Sequence, residues 1–226
     1  MPELPDAFPS MGAEFRKPYM EFEYDGQMYR LENLRGGHNG SGATAACRAS
    51  PPTFDPEKGR WVVTVKNNLI DINLADHPHV APLFATSNQF LSQAHIYSNP
   101  RRSYESVGYL LSHTTSPNEP AQFPIDCVFY MHIRISVPGK PSLINVKPFE
   151  LTTKNLEQWP PPVGTIYEHE DEIELFPEWI PFIHNFMSPV VRIRPGDQTI
   201  LTRVFDLPEG SDSSGGSLRS LWNRIT

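Results

Sequence analysis

The chain is most informative first for what it lacks. No apolar run approaches the ~18 residues that a membrane helix needs. Its start, Met1-Pro2-Glu3-Leu4-Pro5-Asp6, has neither the basic nor the apolar region of a secretory leader, so a cytoplasmic location is expected. Cysteine is scarce: Cys47 and Cys127 are the only two, too few for a disulfide framework. Cys127 falls in an apolar run, where a free thiol acts as a small buried hydrophobe. Positive charge is short as well, with 19 Lys and Arg against 26 Asp and Glu and a net charge of −7. No basic cluster exceeds Arg101-Arg102, which argues against nucleic acid and anionic membranes as partners.

Catalytic signatures are missing too. There is no G-x-S-x-G elbow. The glycine-rich stretch Gly36–Gly42 is followed by no Lys-Ser/Thr pair and opens no G-x-G-x-x-G helix, so it reads as a loop rather than a phosphate cradle. Asn39-Gly40-Ser41 fits a glycosylation sequon only by accident if no leader precedes it. His38 and Arg48 lie near Cys47 in sequence, which is no evidence of a thiol dyad. His77-Pro78-His79 has a metal-like H-x-H spacing, but no carboxylate follows and the proline suggests a loop. His169-Glu170-Asp171 has the H-x-D spacing of a facial triad, with only His184 as a third ligand, and reads better as an acidic solvated edge. No metal and no cofactor are expected.

What is abundant is proline, 24 of 226 residues, between short runs rich in β-branched and aromatic residues. Proline fixes φ and removes a donor, so a helical bundle is excluded. Strand follows strand with few helical patterns between, which argues antiparallel pairing. The expected fold is mainly β: a sandwich, jelly roll or barrel with one or two short helices. Residues 1–17 read as an extended N-terminal arm and 18–207 as a single β domain. Residues 208–226 read as a flexible Gly/Ser linker ending in a short amphipathic helix.

Three hairpins are expected. Tyr19–Tyr24 and Gln27–Leu31 flank Asp25-Gly26, which supplies the two positive-φ positions of a type I′ turn. Arg60–Lys66 and Leu69–Leu74 flank Asn67-Asn68. The runs 190–195 and 198–206 flank Pro195-Gly196-Asp197. Further strands are read over 125–137, 142–153, 163–168 and 171–176. Residues 82–95 could form the one substantial helix, and 103–113 are ambiguous.

The run 127–137 alternates. Cys127, Phe129, Met131, Ile133, Ile135 and Val137 point to one face; Val128, Tyr130, His132, Arg134 and Ser136 point to the other. If the second face lines a cavity, Tyr130, His132 and Arg134 are candidate acid, base and anion-binding groups; otherwise it is solvated. Arg192, Arg194 and Arg203 pose the same question. Trp159 and Trp179 sit beside prolines and are candidate ligand platforms, against the plainer reading that they cap the core. Leu218, Leu221, Trp222 and Ile225 fall on one helical face, fit to dock on a partner, on a second copy or on the chain's own domain.

Three functional readings follow. The first is a non-catalytic protein that binds a small apolar molecule or a protein partner. The second is a cofactor-independent cyclase or isomerase using Tyr130, His132 and Arg134 on an apolar substrate in a β cavity. The third is a carbohydrate-binding sandwich using Trp159 or Trp179.

Overall fold

The computed structural model describes residues 1–6, 8, 11–24, 26–35, 43–69, 71–73, 95–98, 106–136, 142–178 and 188–206. Among the described residues there is no helix. The order is β1 (Met11–Tyr24), β2 (Gln27–Arg35), β3 (Ala43–Ala49), β4 (Thr53–Asp55), β5 (Arg60–Leu69), β6 (Asp71–Asn73), β7 (His95–Ser98) and β8 (Ser106–Ser112). There follow β9 (Ile125–Met131), β10 (Ile133–Ser136), β11 (Leu143–Asn145), β12 (Phe149–Leu156), β13 (Ile166–His169), β14 (Ile173–Pro177), β15 (Val191–Ile193) and β16 (Gly196–Asp206).

These strands make two antiparallel sheets around one core, as in a sandwich. The first runs β1-β3-β5-β8-β9-β12-β13-β16, and β16 pairs in turn with the N-terminal half of β1. The second runs β1-β15-β14-β11-β10-β7-β6. β2 extends β1, and β4 extends β5.

The two sheets share bent chain segments. β15 and β16 both pair with β1. Tyr24↔Val191 and Phe22↔Ile193 lie on one side of Pro195, Arg16↔Thr199 and Phe15↔Ile200 on the other, all in one register. Pro195-Gly196-Asp197 is therefore not the expected hairpin turn. Proline has no N–H to give a ladder, so the strand bends there and continues along the same partner. A similar interruption spans Val146 to Pro148. Asn145↔Leu175 on one side and Thr152↔Glu168 on the other keep one register. Prolines thus interrupt two strands whose register continues past them.

The first hairpin is as expected, with Tyr24↔Gln27 closing the turn and Gly26 at φ 72°. The second is corrected. β5 runs straight through Asn67, which pairs with Cys47 on one side and Ser106 on the other. The true hairpin into β5 starts from β4. Asp55 Oδ1 accepts from the backbone N–H groups of Glu57 and Lys58, and Gly59 takes φ 62°. Asp and Gly each suit that turn locally. Asn67 shows how flanking strands on both sides override a weak turn preference.

The ambiguous stretch 103–113 contains β8. The expected helix over 82–95 lies outside the described residues, except for His95, which opens β7. Among the described residues no helix is long and apolar enough to cross a membrane.

The core is built by alternation. β8 and β9 both alternate strictly between buried and half-buried positions. Leu110, Ile125, Cys127 and Met131 are fully enclosed on the inner face. Each large apolar side chain buried this way stabilises the fold by about 1.5–3 kcal/mol. Gly108 has a specific reason to be glycine: it lies opposite Phe129, and an added Cβ would overlap that ring.

Candidate functional site

Two places break the regular pattern and concentrate side chains of functional interest. One is the corner where β9 gives way to β10. The other is the end of the first sheet at the β8–β9 connection.

At the corner the alternation of the 127–137 run fails, because Met131, His132 and Ile133 are buried in succession. His132 sits between the strands, and side chains replace the missing ladder. Ser106 Oγ accepts from the His132 N–H (2.9 Å) and donates to its carbonyl (3.3 Å). Asn145 Oδ1 accepts from the Ile133 N–H at 2.7 Å. Its Nδ2 donates to the carbonyls of Met131 (2.9 Å) and Lys147 (2.8 Å). The His132 ring Nδ1 lies 3.3 Å from the Asn145 carbonyl. Burial pushes the imidazole below its usual pKa, and the Asn145 carbonyl opposes this only in part.

The other two residues singled out on this run sit elsewhere. Tyr130 is half-buried on the outer face, edge-on to Tyr109 at 6.2 Å. Burial raises its pKa, and the neighbouring Glu150 carboxylate raises it further. Arg134 lies beyond the corner and pairs with Glu178, Nη2 to Oε2 at 2.7 Å and Nε to Oε2 at 2.9 Å. The three are thus given three separate settings: the outer face, the corner and an ion pair.

Arg192 and Arg194 lie in a charged row. Glu23, Arg192 and Glu174 are directly opposite one another on β1, β15 and β14. Arg192 reaches Glu174 at 3.6 Å and Glu23 at 3.9 Å, and Arg194 reaches Glu172 at 3.5 Å. The flanking rows, Phe22–Ile193–Ile173 and Tyr24–Val191–Leu175, turn inward. His169 is buried against Phe149, while Asp171 is exposed and meets His169 through its backbone carbonyl. Among the described residues no group of three or more His, Cys, Asp or Glu side chains is placed to hold a metal ion.

The sheet end is closed by a separate segment. Leu4 N–H donates to the Ala121 carbonyl at 2.7 Å, and Phe123 N–H donates to Pro2 at 3.0 Å. Leu4, Phe8, Ala121 and Phe123 are buried and belong to the core. Trp159 follows the end of β12 and is half-buried; Phe8 packs edge-on against it at 6.0 Å. Its indole Nε1 is buried with no hydrogen-bond partner. Nearby, Ser112 Oγ donates to the Gln122 carbonyl and accepts from the N–H groups of Thr114 and Gln122.

Residues 11–17, read as part of an arm, form the first half of β1. The sequence reading passed over Leu4, Phe8, Ser106 and Asn145. For Asn145 the signal was one amide inside the apolar run Leu143–Val146. For Leu4 and Phe8 there was only apolar character without periodicity. His38, His77, His79, Trp179, His184, Leu218, Leu221, Trp222 and Ile225 lie outside the described residues, as do the side chains of Cys47 and Arg203.

The architecture defines an antiparallel β protein, and comparison with solved structures agrees on the fold. The chain is similar to DynF from the dynemicin biosynthesis pathway of Micromonospora chersina, with a TM-score of 0.57 at 14% identity. That similarity covers 94% of this chain and 89% of DynF. No family model matches the chain, and a search of curated proteins gives no match.

Proposed function

We propose that this is a non-catalytic binding protein for a small apolar molecule, taken up at the sealed end of the first sheet. One observation carries this reading: that end is filled by Leu4 and Phe8, which arrive on a separate segment rather than on the sheet. Among the described residues the segment is tied at Pro2, Glu3 and Leu4, and a segment held by so few backbone contacts opens at far lower free energy than core strands. An apolar ligand can then replace the buried surface that the segment gives up. The fold shared with a protein of a biosynthesis pathway supports a small molecule as the thing bound.

Titration with the apolar dye phenylnaphthylamine tests the reading. Saturable binding at one site per chain is expected, tightened about fivefold or more by Phe8→Ala, which empties the space beside Trp159. Absence of saturable binding to both the parent and a folded Phe8→Ala protein would overturn it.

A further inference from the structure

We infer that the Trp159 indole N–H is a preset hydrogen-bond donor for the bound molecule, which therefore carries an acceptor oxygen on an otherwise apolar frame. This rests on the binding site proposed above and adds the chemical group recognised there.

Nε1 of Trp159 is enclosed with no acceptor. Leaving a buried N–H unmade is costly, and such groups in native proteins call for an explanation. The other unpartnered buried side-chain atom among the described residues, Glu172 Oε1, belongs to a carboxylate whose second oxygen meets Arg194 at 3.5 Å. Trp159 has no such second group.

The chain around the indole also limits its escape. Trp159 is followed by Pro160, Pro161 and Pro162, whose φ angles are fixed. The turn beyond them is tied by Thr165, whose N–H and Oγ both donate to the Pro162 carbonyl at 3.1 and 2.7 Å. A water would need two to four polar partners, and the ring packed against Trp159 is that of Phe8. A molecule that displaces Phe8 comes to lie against the indole, where an acceptor oxygen can take the unpartnered N–H. The same N–H favours that molecule over a purely apolar analogue, which leaves the donor unpaired.

A matched pair of probes separates this inference from the broader reading: acetylnaphthalene, with a carbonyl, and ethylnaphthalene, of the same shape without one. The expected result in the full chain is about tenfold tighter binding of the ketone. That preference should disappear in Trp159→Phe, and the Trp159 indole N–H resonance of the parent should shift when the ketone is added. Equal binding of the two probes, or a preference that survives in Trp159→Phe, overturns the inference while leaving an apolar site standing. Binding of neither probe overturns both. The resonance shift needs no variant, so a Trp159→Phe protein that fails to fold still leaves a decisive measurement: an unmoved resonance under saturating ketone overturns the inference.

Discussion

The corner at His132 and the sealed end at Trp159 are both departures from regular sheet, yet they are finished in opposite ways. At the corner, Ser106 and Asn145 bond the backbone on both sides of His132, and even the ring nitrogen faces a carbonyl. At the end, an indole N–H is buried without a partner beneath a segment whose contacts are mainly apolar. Buried polar groups are high-stakes: satisfied they fix one structure, unsatisfied they cost free energy. The corner is completed by its own side chains, and the end is where we propose that a ligand takes the place of Phe8.

The largest effect should come from breaking the corner. Asn145→Leu keeps the bulk but leaves the Ile133 N–H and the Met131 and Lys147 carbonyls without this partner. A loss of about 3 kcal/mol in denaturant unfolding is expected. A loss under about 1 kcal/mol would mean the bonds are dispensable and the comparison fails.

Acid should act on the same place. His132 has its folded pKa depressed by burial below the ordinary 6.5. Above pH 6.5 both folded and unfolded forms are neutral at this site, and stability is complete. As pH falls from there toward the depressed folded value, only the unfolded chain takes up the proton, so stability declines. The loss is about 1.4 kcal/mol for each unit of depression. Unfolding curves across that window, with His132→Asn as reference, should show the parent losing stability faster.

The sealed end should respond less. Phe8→Ala removes a buried ring, a change that costs about 3–5 kcal/mol in a rigid core. The proposed detachment of the Phe8 segment sets the expected loss here at about 1 kcal/mol. Hydrogen exchange should rise first at the Leu4 and Phe123 amides, which tie the segment down. Exchange that rises equally in β8 and β9 would place the segment in the global folding unit.

The smallest effect belongs to the exposed row. Arg192→Ala loses pairs at 3.6 and 3.9 Å on an exposed surface. Thermal unfolding should move by no more than about 0.5 kcal/mol, less in high salt. A larger shift would show that the charged row, and not the polar corner, secures the second sheet.

Much of this fold was legible because its cause is local. Asp25-Gly26 set the first hairpin, and the alternation from Cys127 to Met131 fixed which side chains face the core. The errors had one origin. Asn67-Asn68 and Pro195-Gly196 look like turns over four residues, but β3, β8 and β1 offer partners there that a local rule does not see. The site was harder still. Tyr130, His132 and Arg134 share a sequence alternation that the bend at His132 breaks. Trp159 was visible as an aromatic beside prolines, but not as a donor left without an acceptor.

The sequence by itself determined most of the strands, their antiparallel class and the inward side of β9, because periodicity and turn residues act over a few positions. Tertiary structure decided which prolines bend a strand rather than end it. It also decided that Asn145 would complete the ladder at His132 and that Phe8 would lie against Trp159. Those outcomes depend on groups brought together from distant parts of the chain, and a local pattern carries no record of its partner.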